Sequence, residues 1–290
     1  MFNSRLKRVL LCIGLALLCL FNTACSPKVP PGNIGDEVII SEGDLIAEIE
    51  IEGYGVMKFK LFPDIAPQAV DNFVKLSEKG YYNGLKIHRV LKDGFIQGGS
   101  LNGDGTGGDA VINTNGFFPT ETSPDARHFF GALCMANLNG NNTTQFYVVN
   151  SRRVYDLRTY DVSKIKEAAA EFAAAREGLD EYDPRKDEYT YNEARYLELA
   201  NMIEKASDTV IKKYFETTGG CPDMDGSNTV FGQLFEGKDV LEAITGVAVT
   251  SNNLGELSRP IDDLIITAVR VTEAPPAEPE EETSSSSKKK

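Results

Sequence analysis

Apolar and polar residues alternate on both sides of a short glycine-containing stretch near residue 54. Ile49 and Ile51 alternate with Glu48, Glu50 and Glu52, and Met57, Phe59 and Leu61 alternate with Lys58 and Lys60. Gly53-Tyr54-Gly55 lies between the two runs. A period of two, a glycine turn and a period of two again predict a β-hairpin with one buried face. Its Glu and Lys rows would face each other on the solvent side. The period then changes. Pro67 can open a helix where its missing N–H costs nothing, Val70, Phe73 and Val74 form the apolar stripe, and Gly80 ends it. Further strands are expected around 86–91, 130–135, 146–150 and 230–234. Val240, Leu241 and Ile244 indicate a second short helix, and Ile265, Thr267, Val269 and Val271 a closing strand. Many short strands with two helices point to a mainly β domain with some α: a closed antiparallel barrel capped by two helices.

Residues 152–218 break this rhythm. Ser163 can cap a helix that runs through two alanine triplets to Gly178. A second helix is expected from Asn192 to about Phe215, with Leu197, Ile203 and Ile211 among its apolar positions and a charged turn over 180–188 between the two. The segment reads as an α-helical hairpin inserted into one barrel loop, which costs little entropy.

The two ends differ from the middle. Arg5, Lys7 and Arg8 precede the apolar run Val9–Phe21, too short to span a bilayer comfortably. This reads as a signal peptide over 1–24. Thr23-Ala24-Cys25-Ser26 resembles the lipobox of bacterial lipoproteins, in which the cysteine is lipidated, although Asn22 stands where Leu is usual. Cys25 is therefore the expected lipidation site, with 25–42 as a tether. An ordinary cleaved signal with an incidental cysteine is the other reading. The Pro/Glu-, Ser- and Lys-rich residues 273–290 carry little to bury and are expected to be disordered. The domain is then 43–272. Cys12 and Cys19 leave with the signal, so Cys134 and Cys221 are the remaining thiols; a disulfide between them is possible but has no supporting pattern. The net charge of −13 argues against nucleic acid as a partner.

Candidate chemistry concentrates in one stretch. Ile87-His88-Arg89-Val90 is followed by Gln97-Gly98-Gly99 and by the glycine-rich run Gly103–Asp109. An arginine in a β-rich segment needs a partner or a task. The glycines suit close approach of another backbone. This run resembles the active-site signature of the cyclophilins, the peptidyl-prolyl cis/trans isomerases. Three further segments fit in family order: 43–80, then Phe130–Asn137 with Thr144–Val149, then Asp225–Gln233. The resemblance covers roughly 43–150 and 219–272. It implies a cyclophilin-like barrel and an isomerase. It assigns Arg89 and Gln97 as catalytic residues, and Phe95, Ile96, Ala136, Asn137, Gln145, Tyr147, Met224 and Asn228 as substrate-binding residues. Several positions depart from the family. Aligned without gaps, Gly94 takes the place of the pocket Phe and Phe95 that of its Met neighbour; a one-residue shift would return Phe95 to the pocket. Tyr147 replaces Phe, Met224 Leu and Asn228 His, and Asp223 falls where Trp or His is common.

Competing motifs carry less. Gly103, Gly105 and Gly108 match the dinucleotide spacing, but no helix follows to present its N-terminus to phosphate. Asn102, Asp104 and Asp109 lack calcium-loop spacing. Two histidines and two remaining cysteines make zinc improbable, and His88 reads as structural. No cofactor and no metal are expected. The expected function is a cyclophilin-type isomerase, of full or reduced activity, lipid-anchored at the outer face of a bacterial membrane. It would act as a monomer on proline-containing segments of unfolded or exported proteins. The rival is a non-catalytic peptide-binding or chaperone module on the same scaffold.

Overall fold

The first alternating runs form β1 (Leu45–Ile51) and β2 (Gly55–Leu61) in the computed structural model, which describes residues 32–35 and 37–276. Ala47, Ile49 and Ile51 of β1 and Met57, Phe59 and Leu61 of β2 are buried. Glu48 lies opposite Lys58, and the two are paired at 3.8 Å. α1 (Pro67–Glu78) follows, with Pro67 in its first turn. Ala66 cannot cap it, and the carboxylate of Glu121 does so from a distant loop, accepting from the backbone N–H groups of Gln68 and Ala69.

The chain continues through β3 (Lys86–Val90), β4 (Phe95–Gly98), β5 (Phe118–Pro119), β6 (Ala132–Leu138) and β7 (Asn141–Val149). Next come α2 (Val162–Glu177), α3 (Arg185–Glu204) and α4 (Asp208–Lys212). β8 (Val230–Glu236), α5 (Lys238–Thr245), β9 (Val249–Ser251), β10 (Leu257–Pro260) and β11 (Leu264–Glu273) complete it. The sheet order is β4-β3-β11-β1-β2-β8-β6-β7, and β7 pairs back with β4. The result is a closed antiparallel barrel of eight strands with no free edge. α1 packs on β7 and β11, and α5 on β2 and β4. Phe73 of α1 enters the barrel core against Tyr82, Phe146 and Phe231, with ring centroids 5.1–5.8 Å away.

The closing strand departs from simple alternation. Glu50 faces Ala268 while Ile51 faces Ile266, so Thr267 is an extra residue in β11. This bulge reverses the strand's faces. Leu264 and Ile266 point inward before it and Val269 after it, whereas Thr267 is exposed.

The segment between β7 and β8 is helical but divided differently from the sequence expectation. Asp161, not Ser163, caps α2 by accepting from the N–H of Lys164. The second helix starts at Arg185 and stops at Glu204 rather than running from 192 to 215. Ser207 then caps the short α4 by accepting from the N–H of Val210, and a π turn covers Lys213–Thr217. Capping residues inside the apolar pattern broke what periodicity alone joined. Leu197 is 47% exposed, while Leu199, Ala200 and Met202 are buried.

A buried carboxylate ties these parts together. Asp225 is 2% exposed and accepts hydrogen bonds from Arg127 Nη1 (3.2 Å), the His128 backbone N–H (3.0 Å) and Tyr214 Oη (2.9 Å), with His128 Nδ1 also at 2.9 Å. Arg127 is equally buried and also donates to the carbonyl of Met202 at the end of α3. Asn33 is buried as well, holding the backbone of Arg127 from both sides and donating to Gln233. Lys213 donates to the carbonyls of Asn33 and Gly35. Residues 33–35, expected within a free tether, are therefore built into the domain. The signal segment, Cys25 and residues 277–290 lie outside the described residues. Cys134 and Cys221 are both free thiols. Among the described residues, no helix is long and apolar enough to cross a membrane.

Removing the Asp225 carboxylate would leave the Arg127 charge buried without its partner. Asp225→Ala should cost about 3–5 kcal/mol of stability. In a thermal melt this should appear as a Tm lower by on the order of 10 °C.

Candidate active site

β3 and β4 pair so that Arg89 stands opposite Gln97. Their side chains begin a directed line of hydrogen bonds. Arg89 Nη1 donates to Gln97 Oε1 (3.1 Å), Gln97 Nε2 to Gln145 Oε1 (3.0 Å), and Gln145 Nε2 to the Gly105 carbonyl (2.9 Å). Each amide is thereby held in one orientation. The glycine-rich loop lies against the start of β7. A Cβ on Gly108 would sit 2.2 Å from Thr144 Oγ1, at a backbone φ of +102°. Glycine lets that loop reach Gln145. Glu256, from the turn between β9 and β10, completes the guanidinium's surroundings, with its two carboxylate oxygens 2.7 Å from Arg89 Nε and Nη2. The arginine side chain remains 32% exposed.

Phe95 lies two residues before Gln97 and projects on the same face of β4. The Arg89 guanidinium sits 4.8 Å from its ring centroid. Gly94 occupies the preceding turn, where its N–H donates to Asn150 Oδ1. Gly94 thus stands in a turn, and Phe95 supplies the half-buried aromatic surface beside Arg89. Ile96, expected in the groove, instead points into the barrel core and is fully buried. Alternation along β4 allows only one of Phe95 and Ile96 to face outward.

Tyr147 forms the floor. Its ring centroid is 4.9 Å from that of Phe95, and it is 2% exposed. Its hydroxyl has the partner that burial requires: His128 Nε2 at 2.9 Å, with Nδ1 of the same ring on Asp225. Burial pushes the tyrosine's pKa well up. Ala136 and Met224 are partly buried against this outer apolar cluster. Pairing of β6 with β8 ends at Cys134, so Ala136 and Asn137 extend beyond it. The Asn137 side chain donates to the Ser227 carbonyl (2.8 Å) and to Asn228 Oδ1 (2.6 Å), and accepts from the Gly140 N–H. Arg89, Gln97, Gln145 and Phe95 thus form one constellation. Ala136, Asn137, Met224 and Asn228 border it. Tyr147 lies beneath.

The comparisons with known proteins agree with this architecture. The cyclophilin-type peptidyl-prolyl cis-trans isomerase model matches residues 46–271. The chain belongs to the cyclophilin family. It is 32% identical over 220 residues to a Staphylococcus saprophyticus protein, covering 76% of this chain and 88% of that one. A Staphylococcus haemolyticus protein is 34% identical over 218 residues, covering 75% of this chain and 86% of its own. Each is provisionally named a peptidyl-prolyl cis-trans isomerase. The crystal structure of a Cryptosporidium parvum cyclophilin-type isomerase shares the fold, with a TM-score of 0.50 at 22% identity, covering 80% of this chain and 99% of that one.

Three polar residues of this cyclophilin's site region escape sequence reading. Glu256 sits in a polar turn with no motif. His128 and Asp225 lie far apart in sequence, and only the fold brings them to Tyr147. The motif residue His88 has a separate role. A cavity of about 630 Å³ opens beside Arg89, between the glycine loop and the β9–β10 turn, with His88 in its wall. Both ring nitrogens of His88 are buried with no hydrogen-bond partner among the described residues. Burial, then the neighbouring Arg89 charge, lowers its pKa from 6.5 to about 4. The ring is neutral at physiological pH and is no proton donor there.

The folded state favours the neutral ring. The group therefore adds stability above pH 6.5, and this is lost as pH falls toward 4. The loss should be on the order of 3 kcal/mol at most. His88→Leu should flatten the decline of Tm between pH 6.5 and 4 relative to the unsubstituted protein, as read by thermal melts across that range.

Proposed function

We propose that this cyclophilin accelerates cis–trans rotation about X–Pro bonds in exported polypeptides, at the outer face of a bacterial membrane to which Cys25 tethers it. The working unit is the domain over 43–272 together with residues 33–35, which are built into it. The observation that carries the reading is the Arg89 guanidinium held against Phe95 and joined to Gln97 and Gln145.

The uncatalysed barrier is about 18–20 kcal/mol because the amide C–N bond has partial double-bond character. Twisting that bond makes the proline nitrogen pyramidal and returns its lone pair. An N–H of Arg89 donated to that lone pair stabilises the twisted state more than either planar isomer, which is what lowers a barrier. No covalent intermediate or cofactor enters. Gln97 and Gln145 bind the substrate backbone. The peptide lies along the β6 edge at Ala136 and Asn137, a form of strand addition. The proline ring rests on Phe95, with Met224 and Asn228 at the far side and Tyr147 as floor. Substrates are proline-containing segments of unfolded or exported chains, bound by a monomer. Without help their isomerisation takes tens of seconds or more.

One observation favours a second reading. With Tyr147 buried and Gly94 in the turn, Phe95 is the aromatic residue beside Arg89, and such a reduced wall suits a non-catalytic peptide-binding module. Turnover separates the two.

Arg89→Ala should lower kcat/KM for an X–Pro peptide by roughly 100- to 1000-fold. Its melting temperature should stay close to that of the unsubstituted protein, since the side chain is partly exposed. Because guanidinium stays charged and His88 stays neutral, turnover should be flat from about pH 6 to 9. Protease-coupled or NMR exchange assays of isomerisation check both. A folded protein that binds X–Pro peptides but shows no turnover supports the binding module.

A further inference from the structure

The β9–β10 ribbon is separate from the barrel sheet, yet β10 packs on β3, the strand that carries Arg89. Its turn is closed by one residue. Asn252 Oδ1 accepts from the N–H groups of Leu254 (2.9 Å) and Glu256 (3.0 Å), and the Asn252 N–H donates to the Glu256 carbonyl (2.8 Å). Asn252 Nδ2 reaches the buried Ser258 hydroxyl at 3.2 Å. The turn is therefore a built platform, and its outward product is the Glu256 carboxylate.

That carboxylate meets Arg89 side-on, with one oxygen on Nε and the other on Nη2, both at 2.7 Å. This two-point geometry fixes the plane of the guanidinium as well as its position. An arginine has five N–H groups. Glu256 takes two and Gln97 one, which leaves two for a ligand. A partly exposed arginine without such a clamp would spread over many rotamers, since its long side chain carries considerable rotamer entropy.

We propose that Glu256 is a positioning residue for isomerisation, holding Arg89 so that its two remaining N–H groups face the proline nitrogen. The inference rests on the assignment of Arg89 as the donor. Glu256 touches no substrate. It acts by removing the disorder that Arg89 would otherwise lose only at the transition state. Its neighbours Asn252 and Ser258 serve the same end by fixing the carboxylate.

The test is Glu256→Gln, alone and combined with Arg89→Ala, with kcat and KM measured separately on an X–Pro peptide. Glu256→Gln should lower kcat about tenfold and leave KM within about twofold, because the loss is of orientation rather than of binding. In the Arg89→Ala background the same substitution should change residual turnover by less than about twofold. The Arg89 Nε–H resonance gives a readout apart from activity: sharp and slowly exchanging in the unsubstituted protein, broadened in Glu256→Gln. An unchanged kcat with an unchanged resonance overturns the proposal. A raised kcat also overturns it, because the clamp would then be a restraint. So does an equal loss of turnover with and without Arg89, since the effect would then run through the fold. An active Arg89→Ala variant defeats the assignment of the donor itself, and the single substitutions show this independently of Glu256.

Discussion

The structure depends most on the buried carboxylate of Asp225. A buried polar group of that kind is tolerated only when its hydrogen bonds are made, and Arg127, His128 and Tyr214 supply the donors. These donors come from two separate parts of the chain. Arg127 and His128 come from the loop before β6, and Arg127 is held from behind by Asn33. Tyr214 follows α4, and Met202 of α3 accepts from the same arginine. His128 passes the constraint to Tyr147, the floor under the candidate proline site. One carboxylate thus links the N-terminal stretch, the barrel, the helical segment and the site. The network is fully satisfied, so it specifies one arrangement rather than weakening the core.

The same logic explains Tyr147. A phenylalanine there would fill the floor without a polar demand. A tyrosine must find a partner for its hydroxyl, and it finds one by facing inward toward His128. The ring is thereby pinned from below, while Phe95 leans on it from above. Above Phe95 lies Arg89, which is pinned by Gln97 and Glu256. The stack from Asp225 to the guanidinium is a single column of oriented groups, with its charged ends buried at the bottom and half-exposed at the top.

Much of this was legible in the sequence, for identifiable reasons. The hairpin β1–β2 and helix α1 carry clean periods, and a clean period depends only on which face meets the core. The motif around Arg89 and Gln97 is local in sequence, and the β3–β4 pairing sets the two residues opposite each other. The failures are non-local. Thr267 looks like an inward residue until the bulge opposite Glu50 and Ile51 shifts the strand. Ser163 looks like a cap, but Asp161 enters the turn first. Ile96 looks like part of a signature until alternation along β4 assigns it to the core. Glu256 and the pair His128–Asp225 have no local signal at all, because their partners lie 167, 19 and 97 residues away.

These connections also bear on what the helical segment is for. Read from sequence, it is an α-helical hairpin inserted into one barrel loop at little entropic cost. The structure ties it into the domain. α3 and the turn after α4 contribute two of the groups that satisfy Arg127 and Asp225, and Lys213 of the same segment binds the N-terminal stretch. Tyr191 of α3 donates to the carbonyl of Ser227, next to Asn228 at the rim of the groove. A separable client-binding arm would have no need of such contacts, and deleting it would expose the buried network to water. The economical reading is that the segment is part of the wall that shapes the site, and that any effect on client choice is exerted through the position of residues 224–228 rather than through an independent surface.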